Sequence, residues 1–125
     1  MPDASPKMGK YEYMAVVNKN DVLERLGGDE DLYKDICRIF VRDVPMMLQR
    51  MKEELEAGRV EIATRYAYSI KSIASNVGAD DLMELARTAE MAGRTADAGA
   101  MTGYLESLET AFAEVTPLLP TARED

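Results

Sequence analysis

Tyr68 and Lys71 lie three residues apart in the stretch Ala67-Tyr68-Ser69-Ile70-Lys71-Ser72-Ile73-Ala74-Ser75-Asn76-Val77-Gly78-Ala79. On a helix that spacing places a phenol and an ammonium one turn apart on one surface. Thr64, Arg65, Ser72 and Ser75 fall on the same side, so this face combines an aromatic ring, cations and small hydroxyl groups. A phenol has a pKa of about 10 and becomes a nucleophile only beside an activating base or cation. Lys71 fills that part weakly. Docking fits these residues better, because tyrosine offers a large contact area with a polar tip and small serines allow close approach.

Composition removes most other chemistry. There is no histidine among the 125 residues. Histidine–metal clusters, Ser–His and Cys–His nucleophile pairs and imidazole acid–base catalysis are therefore excluded. A single cysteine, Cys37, rules out an internal disulfide framework and a multi-cysteine zinc site, and reads as a small, partly buried helix filler. Glu53, Glu54 and Glu56 form a solvated acidic cluster, since a di-iron bundle would need Glu-x-x-His. No phosphate-binding glycine loop and no GxSxG string occurs. The chain is expected to need no metal or cofactor and to be no enzyme. Its 15 basic and 23 acidic residues give a net charge of −8, which argues against nucleic acid and anionic membranes as partners. No apolar run reaches the roughly 18 residues of a membrane span, and residues 1–10 lack a signal-peptide core. A cytoplasmic location is the default expectation.

One domain is expected at this length, and apolar periodicity makes it all-α. Residues 1–18 read as a flexible tail and lead-in, with Tyr11 to Val17 extended rather than a strand, and 119–125 as a second tail. Asn20 or Asp21 caps a short helix, Val22 to Leu26, closed by Gly27-Gly28. After Asp29, Leu32, Ile36, Phe40, Val44, Met47, Met51 and Leu55 trace one helical face. Pro45 falls inside this run and is expected to kink it or split it in two. Val60 to Val77 forms the next helix, with Ile62 or Ala63, Tyr66, Ala67, Ile70, Ile73, Ala74 and Val77 inward, and Gly78 ends it. A fourth segment runs to about Gly93 with Leu82, Leu85, Ala86 and Ala89 inward. Asp97 then caps a last helix carrying Met101, Leu105, Leu108, Phe112 and Val115, stopped by Pro117. Gly99 and Gly103 weaken its first turns, where fraying is expected. Four helices joined by short turns predict an antiparallel four-helix bundle over residues 19–118, with a short extra N-terminal helix.

The stretch from Asp21 to about Leu118 resembles the histidine phosphotransfer (HPt) domain of bacterial phosphorelays. The resemblance rests on Leu26-Gly27-Gly28-Asp29 before a long helix containing Asp43-Val44-Pro45, on Ala67 to Ala79, and on the Arg94-to-Asp97 turn before the final helix. It implies that Tyr68 stands where the family carries its phosphoacceptor histidine. Lys71 matches the family's lysine three residues later, and Ser72 stands where glycine is frequent. A relay needs a nucleophile that is neutral near pH 7 and forms a labile phosphoramidate, which suits imidazole. A tyrosyl phosphate is too stable to pass phosphate on to a carboxylate.

The expected function is therefore two-component signalling without phosphate transfer. The chain would act as an adaptor or decoy binding a response-regulator receiver domain, a histidine kinase, or both. The resemblance implies a partner-binding face of Thr64, Arg65, Tyr68, Lys71, Ser72 and Ser75, with Lys71 suited to an acidic receiver site. Two alternatives differ in class: a structural or oligomerisation bundle with no relay role, and a phosphoacceptor working through Tyr68 or a serine.

Overall fold

A computed structural model describes residues 17–120 of the chain, so both expected tails lie almost wholly outside the described residues. Five α-helices follow one another: α1 (Lys19–Arg25), α2 (Glu30–Glu56), α3 (Val60–Val77), α4 (Asp80–Arg94) and α5 (Ala98–Val115). A 3-10 turn, Thr116–Leu118, closes the series. The protein is an all-helical bundle in which α2 to α5 each pack on their sequence neighbours and α2 closes the ring against α5. Among the described residues there is no strand, and no helix is long and apolar enough to cross a membrane.

Helix ends follow local chemistry. Asp29 caps α2 by accepting from the Leu32 N–H at 3.0 Å, and Asp97 caps α5 by accepting from the Ala100 N–H at 3.0 Å. The last helix is thus formed from Ala98 onward, ahead of Gly99 and Gly103. Helix α1 starts three residues earlier than its apolar pattern suggests. Asn18 precedes it, and neither Asn20 nor Asp21 is the cap. The Asn18 side chain instead donates to Asp21 at 2.9 Å and Asp80 at 3.3 Å, while its N–H donates to the Gly78 carbonyl at 2.8 Å. These bonds fasten α1 to the α3–α4 junction.

The long helix departs from expectation in two ways. It runs unbroken through Pro45. Pro45 is on the exposed side of the helix, where a missing backbone hydrogen bond is tolerated. The buried stripe is also shifted by one residue at three of its positions, to Tyr33, Cys37 and Leu48. Tyr33, Cys37, Phe40, Val44, Leu48 and Met51 are buried, whereas Leu32 is exposed and Ile36, Met47 and Leu55 are only half-buried. Tyr33 can take the inward position because its hydroxyl donates to the Val77 carbonyl at 2.9 Å, one of the otherwise orphaned groups at the end of α3. Burial pushes its phenol well above the ordinary tyrosine range, with the neighbouring Cys37 adding to that. Phe40 meets Phe112 of α5 with ring centroids 5.4 Å apart.

Two glycines mark close approaches. Gly78 ends α3 with φ +83°, and a Cβ there would lie 2.7 Å from the Asn18 carbonyl oxygen. Gly93 in α4 faces α3 so closely that a Cβ would run into Thr64 Oγ1. Tyr33→Phe is expected to cost about 1–3 kcal/mol, since it strands the buried Val77 carbonyl. Urea unfolding followed by circular dichroism measures this, and an unchanged midpoint would show that water replaces the hydroxyl. Gly78→Ala should cost about as much through its left-handed backbone and the Asn18 clash.

Candidate functional site

Helix α3 positions the site by its own periodicity. Ala63, Ala67, Ile70, Ala74 and Val77 point into the core, and their small or branched side chains let α3 sit close to α2 and α4. The opposite side must then carry Arg65, Tyr68 and Ser72. Tyr68 is 52% exposed, and Arg65 is exposed beside it. Among the described residues nothing hydrogen-bonds the Tyr68 hydroxyl.

The structure divides the six residues expected to form one face. Arg65 and Tyr68 look outward, and half-buried Ser72 edges the groove between Tyr68 and α2. Thr64 and Lys71 turn toward α4. Thr64 is half-buried, donates to the Val60 carbonyl at 2.7 Å, and rests against Met101 and Gly93. Ser75 is half-buried, and its carbonyl accepts from Arg25 of α1 at 3.2 Å. Lys71 is engaged. Its Nζ lies 2.8 Å from Glu90 Oε1 and 4.7 Å from the centroid of the Tyr68 ring.

Glu90 is the residue that reading the sequence missed. It is the buried charged residue among the described residues, with a side chain only 5% exposed. Arg94, one turn further along α4, donates to its other oxygen at 2.6 Å. Burial alone would push the Glu90 carboxyl up, but the bonds from Lys71 and Arg94 outweigh it and hold the group below the ordinary carboxylate range. The sequence held one signal for this. Ala86, Ala89, Glu90 and Gly93 share the inward stripe of α4, and a carboxylate on such a stripe demands a cation from the neighbouring helix.

Shallow grooves flank Tyr68 on both sides. One, toward α4, is edged by Thr64, Arg65, Glu90, Gly93 and Arg94. The other, toward α2, is edged by Ile36, Ile39, Ser72, Ile73 and Asn76. Helix α2 therefore contributes exposed apolar surface to the Tyr68 face. Leu32, Ile39 and Met46 stand out from it at seven-residue intervals. Of the three, the sequence pattern placed Leu32 in the core stripe and left Ile39 and Met46 outside it. The combined surface has an aromatic centre, an apolar flank and a neutralised cation, an arrangement fit for binding rather than proton transfer.

Comparison with known proteins gives a match to the sequence model of the Hpt domain over residues 35–118. No curated protein and no solved structure matches the chain.

The ion triad makes stability depend on pH in a definite direction. A carboxyl whose folded pKa is depressed contributes stability that is present above its unfolded value, about 4.3, and is lost as pH falls through the folded value. Asp81, raised by burial and by Asp80 and Glu84, acts in the opposite sense. Glu90→Gln should therefore lower stability near pH 7 and flatten the loss below about pH 4. Thermal melts across pH 3–7 check this, and parallel acid limbs for both proteins would contradict it. Gly93→Ala should destabilise by about 1–3 kcal/mol by overpacking the α3–α4 contact.

Proposed function

Because this chain belongs to the Hpt domain family, whose members are phosphotransfer modules of two-component phosphorelays, we propose that it binds relay partners without carrying phosphate. The partner class is the receiver domain of a response regulator, or a histidine kinase in place of an ordinary phosphotransfer domain. The observation that carries this reading is Tyr68. It is half exposed at the centre of a face with apolar flanks, in a chain that has no histidine at all.

The surroundings of Tyr68 support binding over transfer. A phenol attacking phosphorus must lose its proton, and no base contacts the hydroxyl among the described residues. The nearby cation sits over the ring face and is paired with Glu90 rather than with the hydroxyl. An aromatic ring with a partner-free hydroxyl, bordered by Ile36 and Ile39, has the make-up of an interface anchor. Non-transferring occupancy of a receiver would compete with a phosphate-carrying domain for the same surface.

The test is a titration of the full chain against receiver domains of its organism, with and without a phosphoryl mimic. Binding to at least one is expected, and Tyr68→Ala should weaken it by at least about 2 kcal/mol, roughly thirtyfold, while leaving the helical spectrum intact. Binding to none of them under either condition would leave only a structural bundle. Ile70→Asp serves as the unfolding control, because Ile70 is fully buried. Labelled phosphate reaching the chain from a kinase or a phosphorylated receiver would overturn the claim that it carries none.

A further inference from the structure

We infer that Glu90 sets the selectivity of the Tyr68 face by withholding the charge of Lys71 from whatever docks there. This deepens the docking reading and rests on it. Three observations carry it. Lys71 Nζ is 2.8 Å from a carboxylate oxygen that water scarcely reaches. The ammonium is only 26% exposed at the side chain, folded under the Tyr68 ring rather than extended into solvent. The second Glu90 oxygen is held by Arg94, so the carboxylate is fixed from both helices and cannot swing away to free the lysine.

Charge accounting follows from this geometry. Lys71 and Glu90 cancel, which leaves the charge of Arg94, whose side chain is 67% exposed on the α4 rim of the groove beside Tyr68. Arg65 makes no ion pair among the described residues and edges the same groove from α3. An acidic or phosphorylated group approaching Ser72 meets a phenol and a neutral pair instead of an ammonium. To claim Lys71, such a group would have to outcompete a desolvated carboxylate already in contact. Pairs of that kind are costly to break, because the abandoned partner stays buried and charged. The face therefore selects for apolar and aromatic contact first, and for anions at the Arg65 and Arg94 rim rather than at Lys71. Glu90 is a positioning residue in this scheme: it touches no partner and acts through Lys71.

The experiment uses inorganic phosphate as the probe and the whole chain, so its result does not depend on finding a partner protein. Phosphate is titrated into isotopically labelled protein while the Lys71 and Ser72 amide signals and the Lys71 side-chain signals are followed. Wild type should give no saturating response at these positions. Glu90→Gln preserves shape and hydrogen-bonding reach while removing the charge. It should give a saturating response at Lys71 at phosphate concentrations at least about tenfold below the highest that leaves wild type unsaturated, as expected for one newly available charged hydrogen bond. Adding Lys71→Met to that variant should erase the gain. Equal responses in wild type and Glu90→Gln, or a gain that survives Lys71→Met, would overturn the inference. A second measurement needs no variant. In wild type, amine acetylation read by mass spectrometry should modify Lys71 about tenfold more slowly than the exposed Lys52, and equal rates would also overturn it. Failure of the receiver titration, with these two results as expected, would reject the docking role and leave the shielded lysine in place.

Discussion

A carboxylate inside a helical bundle has to be answered by cations, and that requirement organises this molecule around Glu90. Removing an ionised group from water costs several kcal/mol unless its oxygens are paired and hydrogen-bonded. Glu90 satisfies both oxygens, one from Lys71 on α3 and one from Arg94 on its own helix. The bond to Lys71 spans two helices, so it constrains how they sit. Their spacing is already short at this level, where Gly93 leaves no room for a side chain against Thr64. Close packing and charge pairing thus support each other. The glycine lets the helices approach closely, and the lysine reaches across that approach to the carboxylate.

The orientation of Tyr68 follows from the same pair. With its ammonium held at Glu90, Lys71 lies 4.7 Å from the centre of the ring, within the range where a cation is attracted to an aromatic face. The ring is steadied by a charge it does not have to share with solvent. A tyrosine fixed in this way loses less freedom on binding than one on a loose surface, which favours affinity. The hydroxyl stays outside the arrangement and free to meet a partner.

Much of the fold was legible in the chain because its signals are local. The limits of α3, the cap Asp97, and the stop at Gly78 each depend on one or two residues and their immediate neighbours. The errors came where a distant contact decided the outcome. Tyr33 reads as a surface residue until the Val77 carbonyl, 44 positions away, accepts its hydroxyl. Cys37 follows it inward, and Leu32 is turned out. Pro45 reads as a helix breaker until it is placed on the exposed side, where a missing backbone bond is tolerated. Asn18 reads as lead-in until Gly78 and Asp80 are brought beside it.

The site was legible in its residues but not in its electrostatics. Position along α3 was enough to put Arg65, Tyr68 and Ser72 on one surface, since helical spacing alone does that. The same spacing placed Thr64 and Lys71 with them, because periodicity assigns directions around an axis and says nothing about which neighbour claims a flexible side chain. Lysine is long enough to leave its nominal face, and a buried acid 19 residues later draws it away. A family match has the same limit. Matching residues 35–118 identifies the bundle and its relay context, and Lys71 lies within that span. Whether that lysine's charge is offered to a partner is decided by Glu90. In this chain the loss of histidine and the neutralisation of Lys71 act in one direction. Each removes a group that phosphoryl chemistry would use, and neither disturbs the apolar surface beside Tyr68.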